Sequence, residues 1–188
     1  MLRYLIALGV VFLLVITLVV FVFNGDDKKK PAGPTLLPLN EYAFDNTSAV
    51  TYTQRGRING DDVHRNIVIK VTSDERKIDI IQGYQGNVIS TQSYSNNQDA
   101  YEQFLYALKQ AGFLTKKKEI KVDNPNGRCS TGILYFYTLS QDFDELSNLW
   151  SGNCSKEIGT FGGNSALINT LFQAQITDYG KITSGVSL

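Results

Sequence analysis

The sequence predicts an α+β fold, in which a single N-terminal transmembrane helix precedes an antiparallel β-meander sheet with about three helices packed on it. Three observations support this prediction. Residues 5–23 form an uncharged run that is apolar almost throughout. Residues 50–93 contain strand-type segments separated by turn signals about every 8–12 residues, which is typical of a meander. Residues 100–111 then change to the period of an amphipathic helix.

The apolar run predicts an uncleaved signal-anchor helix within residues 1–23. A helix of about 19 residues rises roughly 28 Å, close to the roughly 30 Å hydrocarbon core of a bilayer. A cleaved signal peptide usually has an apolar region of about 7–15 residues and a small-residue cleavage site. The run instead ends Phe-Val-Phe-Asn-Gly-Asp-Asp over residues 21–27, which lacks that site. Cleavage stays open as the alternative.

The sequence contains two opposing indications of which side of the membrane the rest of the chain occupies. The three lysines at residues 28–30 outnumber Arg3, so the positive-inside rule alone would keep the C-terminal side in the cytoplasm. A long domain, however, is translocated largely regardless of its charge. We therefore expect a single-pass protein of the cell membrane with an extracytoplasmic C-terminal domain. Its first partner is the lipid bilayer, through the N-terminal helix.

The two cysteines, Cys129 and Cys154, favour the same orientation. An even number of cysteines in an exported domain favours a disulfide. Closing a loop of about 25 residues would stabilise the folded state by roughly 3.5 kcal/mol in the chain-entropy model. Two unpaired buried thiols in a cytosolic domain are the alternative.

A charged and proline-rich linker, residues 24–40, is expected between the anchor and a single domain, residues 41–188. Three of the four prolines lie in this linker, which favours an extended spacer. Of 18 acidic and 18 basic residues, two acidic and four basic ones precede residue 41, which leaves 16 and 14 in the domain. This slightly acidic balance argues against a nucleic-acid partner, because phosphate binding needs a basic surface.

The first half of the domain is expected to be β-structure. Ile67, Ile69 and Val71 alternate with more polar residues, as in a strand with one buried face. Asn59-Gly60 is a turn signal, and residues 83–86 form a second turn. The predicted strands cover residues 50–54, 66–72, 77–82 and 87–93.

An amphipathic helix is expected next. Ser95 to Gln98 match a capping box, in which a hydroxyl caps the helix and a glutamine three residues later reaches back. Apolar residues recur on one face from Ala100 to Ala111. Gly112 is placed to end the helix in the left-handed conformation.

The last third of the chain mixes strands and helices. We expect a short strand at residues 119–123 and a buried strand at residues 131–139, which contain Ile-Leu-Tyr-Phe-Tyr. Apolar residues between Phe143 and Trp150 have helical spacing, with Asp142 and Asp144 as caps.

A glycine-rich loop, residues 159–163, leads into a last amphipathic helix that begins near Ser165. The residues expected to face inward on this helix are Leu167, Ile168, Leu171 and Phe172. The polar tail beyond Asp178 is expected to fray.

His64 and Tyr84 are the candidate binding residues. His64 is the single histidine and follows Asp61 and Asp62, so that a carboxylate would orient its imidazole for acid–base chemistry. The plainer interpretation is a loop histidine with incidental acidic neighbours. Tyr84 lies in a Gly-Tyr-Gln-Gly turn, which would project its ring outward as an anchor for a partner.

No metal, cofactor or catalytic residue is assigned. Zinc needs three or four ligands, whereas the chain has one histidine and no CxxC pair. The carboxylates of Asp142, Asp144 and Glu145 lack the spacing of a calcium loop. The loop at residues 159–163 lacks the lysine of a phosphate-binding loop and is interpreted as a turn.

These features favour a membrane-anchored extracytoplasmic binding or structural module without its own catalytic site, whose partner is an envelope protein or a glycan. The first alternative is a cell-envelope hydrolase that uses His64 with Asp61 or Asp62. The surroundings of His64 distinguish the two, because acid–base chemistry needs a cleft with a reacting group within hydrogen-bond reach.

A second alternative follows from the layout, which resembles that of type IV pilins and minor pilins. Those proteins combine an N-terminal apolar helix, an α+β domain and a disulfide near the C-terminus. Their signature is a glycine followed at once by an apolar run with glutamate at its fifth position. Gly9 and Val10 match this junction, whereas Leu14 stands at the fifth position. The resemblance implies a filament subunit that is cleaved after Gly9.

Overall fold

The computed structural model describes residues 36–155 and 158–188. The predicted transmembrane helix, residues 1–23, and all but the end of the predicted linker lie outside the described residues. Within the described ranges, no helix is both long and apolar enough to cross a membrane.

Six strands form one antiparallel sheet. They are β1 (Ala49–Arg55), β2 (Arg65–Val71), β3 (Glu75–Gln82), β4 (Asn87–Ser95), β5 (Leu134–Gln141) and β6 (Asp144–Gly152). Their order across the sheet is β4-β3-β2-β1-β5-β6. The first four strands form a meander, and the β5–β6 hairpin adds to the free side of β1. The predicted α+β class with an antiparallel sheet is confirmed.

One face of the sheet carries the core, because apolar residues alternate along each strand. Tyr52 of β1 lies opposite Ile69 of β2 and Tyr137 of β5, and all three side chains are fully buried. Ile78 of β3 lies opposite Ile69 and extends this row. A shift of one residue in any pairing would turn this row toward the other face, so the pattern specifies the register.

Two α-helices, α1 (Gln98–Gln110) and α2 (Ser165–Ala174), complete the core. On α2, Ile168 and Phe172 are fully buried as predicted, whereas Leu167 is 43% exposed. A 3-10 helix, Leu39–Phe44, packs beside α1.

The cap of α1 differs from its prediction. Asn97 accepts a hydrogen bond from the Ala100 backbone N–H at 2.9 Å and is the N-cap. Ser95 is not the cap, because it still pairs with Glu75 in the sheet. Gly112 follows the end of α1 with a φ of 78°, which agrees with its predicted role.

The predicted helix at Phe143–Trp150 is wrong, since this segment belongs to β6. Asp142 and Phe143 adopt positive φ of 51° and 71° and form the tight connection between β5 and β6. Pairing with β5 along nearly its whole length then outweighs the helical spacing of the apolar residues. Leu149 faces the core, and Trp150 is buried on the opposite face.

Two further predictions for the last third are wrong. Residues 119–123 form no strand, and the last of them contacts β6, where the indole Nε1 of Trp150 donates to the Asp123 carbonyl at 2.8 Å. The tail beyond Asp178 contains a short helix, α3 (Tyr179–Ile182), and its end is held where Arg57 Nε donates to the Leu188 carbonyl at 3.0 Å. Neither segment has a local pattern that specifies these tertiary contacts.

Candidate functional site

A cleft of about 850 Å³ opens where the ends of β5 and β6 meet the start of α2. Three aromatic rings, those of Tyr52, Tyr135 and Phe161, line it together with amide and hydroxyl side chains. The rings of Tyr52 and Tyr135 are nearly parallel, with centroids 6.2 Å apart. A concave site of this size with an aromatic lining and a few polar groups has the general character of a ligand site.

Among the polar groups that line the cleft, the hydroxyl of Tyr52 differs in being both buried and unsatisfied. The side chain is fully buried, and its Oη forms no hydrogen bond of normal length and angle within the described residues. The nearby Gln54 amide donates instead to Asn169 Oδ1 at 3.1 Å and Tyr179 Oη at 3.4 Å. Burial raises the pKa of Tyr52 far above its ordinary value, and Tyr137 adds to this effect. The hydroxyl therefore stays neutral and keeps a proton to donate.

The wall of the cleft is held in place by a hydroxyl network. Tyr137 Oη lies 3.1 Å from Ser151 Oγ and 2.5 Å from Ser165 Oγ. The Tyr137 ring stacks on Phe161, with centroids 3.9 Å apart. Asn164 caps α2 by accepting from the Leu167 N–H at 3.0 Å. These contacts connect the end of β6, the loop and the first turn of α2.

The glycine-rich loop, residues 159–163, packs closely against the backbone of β6 and of the residues that follow α1. A Cβ on Gly159 would lie 2.2 Å from the Trp150 carbonyl oxygen, and one on Gly163 would lie 2.3 Å from the Gly112 carbonyl oxygen. Gly159 also has a φ of 86°, which agrees with the predicted turn. Larger residues at these positions would displace the loop from the sheet.

His64 and Tyr84, the two candidates from the sequence, lie together in a second, smaller site. Their rings stack with centroids 4.1 Å apart. His64 is 1% exposed, and its Nδ1 lies 3.0 Å from the Arg57 carbonyl. A carbonyl can only accept, so Nδ1 carries the hydrogen of this bond. Nε2 is buried and has no partner.

The acidic neighbours of His64 in the sequence do not contact its ring. Asp61 Oδ1 accepts from the Tyr84 backbone N–H at 2.7 Å. Asp62 contributes its backbone carbonyl, which accepts from Arg65 Nη1 at 2.8 Å. The structure therefore does not assemble the Asp–His pair on which the hydrolase hypothesis depends.

Two arginines that the sequence did not single out, Arg55 and Arg128, line the small pocket of about 190 Å³ beside His64. The Arg55 guanidinium lies 4.8 Å from the centre of the Phe136 ring and donates to the Pro125 carbonyl at 3.2 Å. Burial lowers the pKa of Arg55, which is the direction expected of a partly desolvated cation. No sequence signal relates these arginines, because β1 and a distant loop supply them.

Cys129 and Cys154 lie at disulfide distance, with Cα atoms 5.6 Å apart. They connect the irregular segment that carries Arg128 to the residues that follow β6, where Asn153 lines the cleft. Asn153 Oδ1 also accepts from the Ile133 backbone N–H at 2.8 Å. The cysteine pair thus lies between the two pockets.

The described residues contain no group of three or more histidine, cysteine, aspartate or glutamate side chains that would hold a metal ion. The pilin-type junction after Gly9 lies outside the described residues. No protein-family model matches the chain, and no curated protein matches it either.

Proposed function

We propose that this chain is a membrane-anchored extracytoplasmic module that binds a neutral glycan in the cleft at Tyr52. The observation that carries this proposal is the combination of stacked aromatic rings with a buried, unpaired Tyr52 hydroxyl in one concave site. Leaving such a hydroxyl unpaired costs about 1–3 kcal/mol, so a ligand group that accepts from it gains a favourable contact.

The chemistry of the lining favours a sugar. Amide side chains, those of Asn153, Asn164 and Asn169, both donate and accept hydrogen bonds, as sugar hydroxyls do. Tyr135 is the partly exposed ring of the lining, and it offers a flat apolar surface for the C–H face of a sugar ring. Among the described residues that line the cleft, Lys117 is the charged one, and it already donates to the Ile158 carbonyl at 2.7 Å. The mostly neutral and polar character of this described lining favours a glycan over a charged ligand.

The extracytoplasmic location is supported by the cysteines and by the apolar run together. Cys129 and Cys154 are the only cysteines of the chain, and they lie at disulfide distance. Disulfides persist mainly in oxidising compartments outside the cytoplasm. The apolar run at residues 5–23 is long enough to anchor such a domain.

Thiol labelling of intact cells tests the location. We expect a membrane-impermeant maleimide to label the chain only after treatment with an impermeant reductant, because both thiols would be paired outside the membrane. A Cys129→Ser, Cys154→Ser chain is the control for labelling of other proteins. Labelling that needs broken cells but no reductant would place free thiols in the cytoplasm and contradict the proposal.

The Tyr52→Phe substitution tests the cleft. We expect the full-length chain, in micelles of a detergent without a sugar headgroup, to bind a β-1,4-linked N-acetylglucosamine tetrasaccharide saturably in calorimetry. Tyr52→Phe should weaken this binding about two- to tenfold through loss of one hydrogen bond.

The matched control is Tyr106→Phe, which removes a hydroxyl from a tyrosine that is 52% exposed and does not line the cleft. This variant should bind as the unchanged chain does. Absence of saturable binding to the tetrasaccharide, or equal weakening in both variants, would overturn the assignment of this ligand to the cleft.

A further inference from the structure

Two cationic side chains, those of Arg55 and Arg128, line the small pocket beside His64, and neither forms an ion pair with a carboxylate of the described residues. We propose that this pocket binds a small oxyanion, namely a phosphate group. The site is separate from the glycan cleft and does not depend on it.

His64 is the first element of the site. Its Nδ1–H donates to the Arg57 carbonyl, so the ring presents Nε2, which is buried and unpaired, as its remaining polar atom. Stacking on Tyr84 holds the ring in this orientation. A phosphate that carries a proton can donate it to Nε2, and a protonated imidazole can donate from Nε2 to a phosphate oxygen. An oxyanion therefore satisfies Nε2 in either state of the ring.

Arg55 is the second element. Its guanidinium has five N–H donors, and one nitrogen is used in the bond to the Pro125 carbonyl. The Phe136 ring beneath it restricts its movement. A guanidinium held in this way without a carboxylate partner is suited to an oxyanion, with which it forms charge-assisted, bidentate hydrogen bonds.

Arg128 is the third element and lies at the exposed rim. It follows Gly127, which has a φ of 69°, and its guanidinium has no hydrogen bond or ion pair within the described residues. A second guanidinium at the mouth would contact a ligand oxygen that the deeper groups do not reach. The long Arg128 side chain is thereby available to close over a bound anion.

The volume of the pocket sets the size of the ligand. Its 190 Å³ correspond to about six water molecules at roughly 30 Å³ each. One tetrahedral oxyanion with a few waters fits this space, whereas a larger ligand would have to extend out of the mouth. The size of the pocket is therefore compatible with one phosphate group, either as the free ion or at the end of an ester.

Titration of the full-length chain with inorganic phosphate at constant ionic strength tests the site. The single histidine makes assignment direct, because one imidazole signal is present in the carbon–proton NMR spectrum. We expect this signal to shift saturably with phosphate. Arg128→Gln should weaken binding about tenfold or more, as expected for loss of a charge-assisted hydrogen bond.

The control is Lys70→Gln. It likewise removes one positive charge, from an exposed residue of β2 that does not line the pocket. This variant should keep its phosphate affinity within about twofold, because exposed charges are strongly screened. An imidazole signal that phosphate does not shift, or equal weakening by both substitutions, would overturn the proposal.

A parallel titration with glycerol 1-phosphate distinguishes the two sources of phosphate. Tighter binding of the ester than of inorganic phosphate would identify a phosphate ester, such as a lipid headgroup, as the ligand. Binding of inorganic phosphate alone would identify the free ion. Either result supports the oxyanion site, whereas binding of neither ligand contradicts it.

Discussion

Replacing Phe172 with alanine is expected to lower the free energy of unfolding by about 3–5 kcal/mol, the range for large aromatic side chains in a core. Phe172 is fully buried on α2 and joins three parts of the fold. Its ring centroid lies 5.3 Å from that of Tyr52 on the sheet, 5.1 Å from that of Phe104 on α1, and 5.9 Å from that of Phe113. Its removal would leave a cavity where the sheet and both helices meet.

Urea denaturation of the full-length chain in neutral micelles measures this loss. Trp150 is the single tryptophan and is 3% exposed, so its fluorescence reports unfolding of the sheet. Phe143→Ala is the matched control, because Phe143 at the hairpin tip is fully exposed. It should change the free energy by less than about 0.5 kcal/mol, as surface substitutions usually do. Similar losses in both variants would contradict the packing described for Phe172.

Reduction of the Cys129–Cys154 pair is expected to lower the free energy of unfolding by roughly 3.5 kcal/mol. The cross-link closes a loop with a sequence separation of 25 residues. In the chain-entropy model such a loop restricts the unfolded chain to this extent, and native disulfides in small domains typically contribute about 2–5 kcal/mol. The same urea titration, with and without reductant, measures the difference.

The control for reduction is the Cys129→Ala, Cys154→Ala chain. It should be as unstable without reductant as the unchanged chain is with it, and reductant should not affect it further. If reductant does not change the midpoint of the unchanged chain, the cysteines are not paired in solution. That result would also remove the main support for the extracytoplasmic location.

Loss of the cross-link should also loosen the residues beside it that line the two pockets. Arg128 directly precedes one cysteine, and Asn153 directly precedes the other. The segment between Gly112 and β5 has little regular structure of its own, and the cross-link acts together with hydrogen bonds such as Trp150 Nε1 to the Asp123 carbonyl and the Ile58 N–H to the Ser130 carbonyl in holding it against the sheet. Each binding proposal therefore includes a residue that lies beside this link.

Local periodicity was sufficient to predict the strands from β1 to β4 and the two main helices. Alternation of Ile67, Ile69 and Val71 specifies both a strand and its buried face, since side chains alternate across a strand. The 3.6-residue period of α1 and the glycine that follows it likewise depend on neighbours in the sequence. His64 and Tyr84 are both candidates from the sequence, whereas the stacking of their rings is not predicted from it.

That contact follows from pairing between strands. Arg65 lies opposite Gln82, so the residues just outside these positions meet, and the Gly83 N–H donates to the His64 carbonyl at 3.0 Å. Extended by one residue, this register places Gly83 opposite His64, so Tyr84 is the first residue beyond that pair. No comparable signal exists for Arg55 and Arg128, which lie far apart in the sequence.

Sequence patterns alone predict the α+β class, the buried faces of the first strands, the helices that cover them and the two cysteines available for a cross-link. The strand after Phe143, the cleft at Tyr52 and the pocket that two arginines share with His64 are visible only in the folded chain. This difference arises from the range of the interactions. Periodicity and caps act within a few residues, whereas strand pairing, the cysteine link and pocket formation join residues that the sequence separates widely.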